Sequence, residues 1–292
     1  MRFAIVLGAG GPKAWPFHAG VLRALASGGL APSDAELIIG TSAGAAVGTA
    51  TRFGATPDEI IRFITTPPSA RELAAFGRSF PQGRRARLLA ARPRAPRLAF
   101  EARPGGLGLG IAAAGLLPAG IVPTDLLARL PSVPRDAPLA PGLWIPAVRL
   151  PDGATVVFGR DWSLAATRAV EAVQASSAVP WIFQAKQIGD STFVDGAVDS
   201  PTHADLALEI DPELVVISTV MSRPGNRAGQ IVARKALASE VERLELAGIR
   251  AVVVEVDDDV ALLLDGFPRR GADRARCIAD LASQLTCRAL IA

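Results

Sequence analysis

The sequence predicts an α/β fold in three layers, a mostly parallel central sheet flanked by helices. Three observations predict it. Short continuous apolar runs at Arg2–Leu7, Leu214–Val220 and Ile249–Val256 have the make-up of strands buried on both faces. Stretches with helical spacing alternate with them, as at Ala14–Ala26, Gly229–Leu246 and Ala272–Leu290. Glycine-rich turns, Gly8–Lys13 and Gly40–Gly44, follow the apolar runs Arg2–Leu7 and Leu37–Ile39, where a parallel sheet presents its functional loops.

In chain order, the first strand enters Gly8-Ala9-Gly10-Gly11-Pro12-Lys13, and the helix after it closes at Gly28-Gly29, residues that tolerate a left-handed backbone. Leu37-Ile38-Ile39 predicts a second strand, which runs into Gly40-Thr41-Ser42-Ala43-Gly44 and an Ala-rich helix. Pro57–Thr65 has helical spacing with proline suitably placed in the first turn. Between Arg84 and Arg103 arginines recur among Leu and Ala with Glu101 the only acid, and residues 104–124 carry no charge. A basic stretch followed by an apolar one suits a membrane-surface element, a lid or a loop packed on the core. Its six glycines and three prolines between residues 104 and 123 argue against a transmembrane span. Trp144–Arg149 and Thr155–Phe158 flank Pro151-Asp152-Gly153 as a hairpin, and Asp161–Ala175 has helical spacing with Asp161 or Ser163 as N-cap. Asp257-Asp258-Asp259 reads as a charged loop and helix cap. The whole, residues 1–292, is expected to form one domain with a lid or membrane-contact insertion near 78–124.

Gly-x-Ser-x-Gly between a strand and a helix predicts a nucleophile elbow. A strand that reverses sharply into a helix strains the central residue, so small neighbours such as Gly40, Ala43 and Gly44 are required. Ser42 then stands at a helix N-terminus, where unpaired N–H groups and the helix dipole favour negative charge. A strand, glycine loop and helix serve three known purposes. A dinucleotide site needs a sixth-position glycine, where this chain has Lys13, and a P-loop needs Gly-Lys-Ser/Thr, which is missing. An oxyanion hole needs only consecutive N–H groups aimed at one oxygen, and it alone also accounts for Ser42.

Composition sets bounds on the partners. The chain is 50% hydrophobic and 20% charged, with a net charge of +3. That basic excess is too small to imply nucleic acid without clustering and aromatic interleaving. Cys277 and Cys287 are the only cysteines and have no companions at metal-ligand spacing, so they are expected to be buried free thiols. The apolar run after Met1 is too short for a signal segment, and with so few cysteines a reducing, cytoplasmic setting is expected, with peripheral membrane contact if the 84–124 stretch meets lipid.

These residues together resemble the patatin-like phospholipase family. Its first strand leads into a glycine-rich oxyanion loop, here Gly8–Lys13, and its second into Gly-x-Ser-x-Gly, here Gly40–Gly44. Far downstream come Ala175-Ser176-Ser177-Ala178-Val179-Pro180, similar to the family's Ala-Ser-x-Ala-x-Pro, and Asp195-Gly196-Ala197, similar to its Asp-Gly-Gly/Ala motif. The resemblance implies a patatin-like fold and a serine acyl-ester hydrolase acting on lipid esters. It implies a Ser–Asp dyad, with Ser42 the nucleophile and Asp195 the proton acceptor. Gly10 and Gly11, joined by Ala9, would bind the developing oxyanion. No metal and no organic cofactor enters this chemistry, and the expected partner is a lipid or other acyl ester.

The chain departs from the family at Lys13-Ala14, where Arg-Gly is common, and Pro12 has no N–H to donate. A rival order Ser42, Asp195, His203 would mimic a triad, but the segment around His203 reads as a helix start; His18 reads as packing or capping in the first helix. The alternatives are a catalytically silent lipid- or protein-binding module that retains the elbow, and a nucleotide-binding protein built on the glycine loop.

Overall fold

The computed structural model describes residues 1–70, 74, 95, 97–98, 109–117, 120–150, 152–161, 166–223, 228–265 and 271–291. The predicted three layers are present around an eight-stranded sheet. Strand β1 (Phe3–Leu7) lies near its middle, flanked by β2 (Leu37–Gly40) and β7 (Leu214–Thr219). Beyond β7 lies β8 (Arg250–Glu255), and beyond β2 lie β3 (Leu143–Arg149), β6 (Ser191–Asp195) and β5 (Lys186–Ile188). β4 (Thr155–Phe158) forms the expected hairpin with β3.

β3, β2, β1, β7 and β8 are parallel, whereas β4, β6 and β5 pair antiparallel. The sheet is therefore mixed. Every residue of β1, β2 and β7 is buried, which is why their sequences are continuous apolar runs. Ile5, Leu7, Ile38 and Val216 face a core shared with α1 (Ala14–Ser27), α2 (Ala43–Arg52), α3 (Pro57–Thr65), α5 (Ala169–Ser176) and α8 (Gly271–Ile291). Ala4, Val6, Ile39 and Ile217 face the opposite layer, α6 (Ala228–Leu246) and the 3-10 turn Ala204–Ile210. The register places Leu7 beside both Gly40 and Ser218, so three strands end together where the chain order along the sheet reverses.

Local details follow from capping and pairing. Thr56 and Glu59 form a reciprocal capping box before α3, and Asp257 Oδ1 accepts the Val260 N–H at 2.9 Å to start α7 (Asp258–Asp265). Of the helix expected over Asp161–Ala175, residues 162–165 lie outside the described residues, and α5 begins at Ala169. The backbone before it is extended, because Arg168 pairs with Pro138 and the Ala169 N–H bonds the Ala137 carbonyl at 2.9 Å. Asp161 instead accepts the Val157 N–H at 2.9 Å. Both cysteines are exposed, not buried, since they lie on the outward side of α8 while Ile278, Ala279 and Ala282 face the core. Most of the arginine-rich stretch lies outside the described residues. Of the apolar stretch, Leu109–Leu116 forms α4, which packs Ile111 against Leu98, Val148 and Val194. Among the described residues no helix is long and apolar enough to cross a membrane.

Candidate active site

The elbow forms as the sequence predicts. Ser42 has φ 55° and ψ −113°, a left-handed conformation that non-glycine residues occupy only under constraint. The constraint is the close approach of strand and helix. A Cβ on Gly44 would stand 1.8 Å from the Leu7 carbonyl oxygen, and one on Gly40 2.5 Å from the Gly44 oxygen. Ser42 is 5% exposed at the start of α2, and its own N–H donates to Ser176 Oγ at 3.0 Å.

Asp195 arrives from the antiparallel side. β3 pairs with β2 at Leu143–Trp144 and with β6 at Ala147–Arg149, so the two strands end facing each other across Pro146. Gly196 permits the meeting, because a Cβ there would lie 2.5 Å from the Pro146 carbonyl oxygen and 3.3 Å from Thr41 Cγ2. Asp195 is 2% exposed. Its Oδ1 accepts the Ala197 N–H at 2.8 Å, while Oδ2 is buried without a well-formed hydrogen bond among the described residues. Burial pushes the carboxyl up to about 6, against the pull of the Ser42 hydroxyl, the Ala197 N–H and nearby His203. The Ser42 hydroxyl is thus close enough to favour the carboxylate without completing an aligned bond to it, a looseness common in sites without substrate. The segment from Ser176 to Ala178 ties both residues down: Ser176 holds the Ser42 N–H, and the Ala178 carbonyl accepts the Asp195 N–H at 3.1 Å.

The glycine loop runs between these residues and α1. The Ala9 N–H, expected to join the oxyanion hole, donates instead to the Pro201 carbonyl at 2.8 Å. That corrects the expectation, because a spent donor cannot also hold an oxyanion. The N–H groups of Gly10 and Gly11 have no backbone acceptor among the described residues. Gly10 is required sterically, since a Cβ there would lie 2.2 Å from Val220 Cγ2, and Gly11 has φ 62°. Lys13 ends the short 3-10 turn that leads into α1 and makes no salt bridge among the described residues.

Three supporting groups escape a reading of the sequence. His18 is fully buried in α1. Its Nε2 lies 2.8 Å from the Gly8 carbonyl and must donate to it, so Nδ1 accepts the Ser218 hydroxyl at 2.7 Å. Burial lowers its pKa to about 4 despite that carbonyl, and the ring is neutral. Gly8 is held on its other side by its N–H bond to the Ser218 carbonyl at 2.9 Å. Glu240, on α6, is also buried and accepts hydrogen bonds from Ser200 Oγ, from Thr202 Oγ1 at 2.6 Å and from the Ala204 N–H at 2.8 Å. It thereby fixes the segment whose Pro201 carbonyl engages Ala9. The third group is Ser176.

His203 lies near Asp195 but bonds Thr41 Oγ1 through Nδ1 at 3.1 Å, with Nε2 3.6 Å from Asp199 Oδ2. It touches the elbow beside the serine, so the order Ser42, Asp195, His203 does not close as a triad. Asp199 is held below the usual carboxylate range: burial raises it, but the nearby His203 ring and the hydrogen bond from the Thr155 hydroxyl outweigh burial.

A family model described as patatin-like phospholipase matches residues 5–208. No curated protein matches the chain. Among solved structures, VipD from Legionella pneumophila is similar at 12% identity and a TM-score of 0.46, the alignment covering 98% of this chain and 66% of VipD. The type III effector protein ExoU is similar at 14% identity and a TM-score of 0.43, with 100% of this chain and 54% of ExoU covered.

Proposed function

Because the chain belongs to the patatin-like phospholipase family, we propose that it is a lipid acyl-ester hydrolase in which Ser42 attacks and Asp195 takes the proton. Ser42 Oγ adds to the ester carbonyl carbon as its hydrogen passes to Asp195 Oδ2. The carbonyl oxygen, now negative, is held by the Gly10 and Gly11 N–H groups. Collapse expels the alcohol, which takes the proton back from Asp195 and leaves an acyl-serine. Water then adds to that ester, gives its proton to Asp195, and the acid departs as Ser42 recovers its hydrogen.

One observation carries the reading: a serine strained onto an elbow lies beside a carboxyl with a buried oxygen that no group among the described residues satisfies. A carboxyl raised to about 6 is a better proton acceptor than an ordinary aspartate and remains ionised at neutral pH. Strands drawn from both halves of the chain share one sheet, which supports reading residues 1–292 as one domain with an insertion near 78–124. Two free, exposed cysteines suit a cytoplasmic setting.

Active-site labelling tests the reading. Wild type, Ser42→Ala and Asp195→Asn are treated with a fluorophosphonate, the adduct is located by peptide mass spectrometry, and turnover of a short p-nitrophenyl ester is followed. Labelling at Ser42 that both variants lose, together with turnover, is the expected outcome. A folded wild type that neither labels nor turns over would instead make the chain a silent binding module.

A further inference from the structure

Among the described residues, five of the large apolar side chains left in solvent lie on two neighbouring segments. Trp181 is 70% exposed, Ile182 51% and Ile121 48%, and Leu116 and Leu117, at the end of α4, are 51% and 38% exposed. Isolated exposed aliphatics are ordinary, but five on two joined segments are not. The segments are joined by backbone: Val122 bridges Phe183, the Val122 N–H donates to the Ile182 carbonyl at 3.0 Å, and the Gln184 N–H donates to the Val122 carbonyl at 2.8 Å. Trp181 has φ 74°, an unusual conformation for a bulky residue, and the turn is held by Ile182 and Phe183 N–H bonds to the Val179 carbonyl. Strain is thus retained in a turn that leaves an indole in water. Trp181 also follows Ala178, which holds Asp195, by three residues, or about 10 Å of chain at most.

The chemistry points to one occupant. Tryptophan beside aliphatic groups suits the boundary between lipid head groups and acyl chains. The run 84–103 holds seven arginines and one acid. Two described residues of that run adjoin the helix ending at Leu116: the Ala95 N–H bonds the Gly115 carbonyl at 3.3 Å, and Leu98 packs on Ile111. We propose that Trp181, Ile182 and Ile121 form the edge by which the chain seats on an anionic bilayer, bringing the Ser42–Asp195 site to the lipid surface. The inference deepens the hydrolase reading and rests on it for the identity of the substrate, whereas binding is measurable without turnover.

The test is cosedimentation of the full chain with sucrose-loaded vesicles of phosphatidylcholine, with and without phosphatidylglycerol. It is run in wild type and in Ser42→Ala, so that lipid is not consumed. Wild type and Ser42→Ala should bind the anionic vesicles alike, more weakly as salt rises. The double variant Trp181→Ala/Ile182→Ser should lower partitioning by roughly tenfold or more, and Ile121→Ser on the partner segment by about threefold. Leu262→Ser, equally exposed elsewhere, should leave partitioning unchanged. All three should keep the wild-type melting temperature and soluble-ester turnover. Wild type that fails to bind anionic vesicles, or a double variant that binds as wild type does, overturns the proposal. Failed Ser42 labelling with intact, Trp181-dependent binding would sink the hydrolase reading alone.

Discussion

Ser42 and Asp195 reach the same point from opposite halves of the sheet, and they are held there by different means. Ser42 is positioned locally: a parallel strand, three small neighbours and a helix that approaches Leu7 too closely to admit a Cβ. Asp195 is positioned at long range, by antiparallel pairing with β3 and by the Ala178 carbonyl. The serine side stores strain in its backbone, whereas the aspartate side stores the cost of a buried carboxylate. One difference follows for mutagenesis: truncating Ser42 removes only the proposed nucleophile, while neutralising Asp195 also relieves an electrostatic burden.

The largest expected effect is therefore double-edged. Asp195→Asn should reduce turnover by about 10⁴-fold, by analogy with other carboxylates that direct an acyl-transfer serine. The same change should stabilise the fold. Asp195 rises from 3.8 to about 6 on folding, so the folded state binds the proton more tightly. The stability this group confers is full below pH 3.8 and is lost as the pH climbs through 6. Above pH 6 the ionised carboxylate burdens the native state by at most about 3 kcal/mol, which Asn would remove. Chemical denaturation at pH 8 and pH 4 should show the variant more stable than wild type at pH 8 and the gap closing at pH 4. A variant less stable than wild type at pH 8 would mean that Oδ2 is already satisfied.

Wild-type kcat/KM should fall on the acid side with an inflection near pH 6, because the base must be ionised. At pH 5 the rate should be roughly a tenth of its plateau value. His18, lowered to about 4, stays neutral over that limb and leaves no inflection of its own. An inflection near pH 4 instead would place the base in a better-solvated position.

The contrast between the two sides also explains what can be read from the sequence. The elbow was legible because strand, turn and helix are contiguous and each glycine answers a contact made within the motif or against the neighbouring strand. Asp195 was legible only through resemblance, since nothing local distinguishes Asp195-Gly196-Ala197 from an ordinary turn. The status of Ala9 was hidden because the acceptor that takes its N–H, Pro201, lies far along the chain. His18 and Glu240 were hidden for the same reason: each sits in a helical pattern, and its partners, Gly8 and Ser218 for one and Ser200 to Ala204 for the other, come from separate loops and strands. The misplaced start of α5 shows pairing overriding periodicity, because Arg168 was drawn into a bridge with Pro138.

His18 bears on whether the serine side is as self-sufficient as its motif suggests. His18→Asn, whose amide takes the place of Nδ1 and falls short of Gly8, should lower kcat by about 10²-fold with KM little changed, because the loop carrying Gly10 and Gly11 loses the bond that sets the Gly8 carbonyl. His18→Gln, whose amide N–H can stand where Nε2–H stood, should keep most of the turnover if the bond to Gly8 is what matters, and fluorophosphonate labelling of Ser42 should slow in proportion to kcat in each variant. Equal loss of kcat and of thermal stability, recovered together by stabilising solutes, would make His18 a packing residue only.

The finest distinction lies between two neighbouring glycines of the same loop. Gly10→Ala would drive its Cβ to 2.2 Å from Val220 Cγ2 and 2.9 Å from the Ala14 Cβ. Val220 can turn aside but Ala14 cannot, so the loop must shift, at about 1–3 kcal/mol of stability and with its N–H re-aimed. Gly11→Ala meets nothing within 4 Å, and its difficulty is φ 62° alone, worth about 1 kcal/mol. Both substitutions keep their N–H groups, so they separate donor position from donor presence. Gly10→Ala should lose turnover by roughly 10²-fold. Gly11→Ala should melt slightly earlier and keep turnover within about threefold of wild type. If Gly11→Ala were the more damaging to kcat, the oxyanion would sit against the open side of Gly11, and the side facing Val220 would be packing alone.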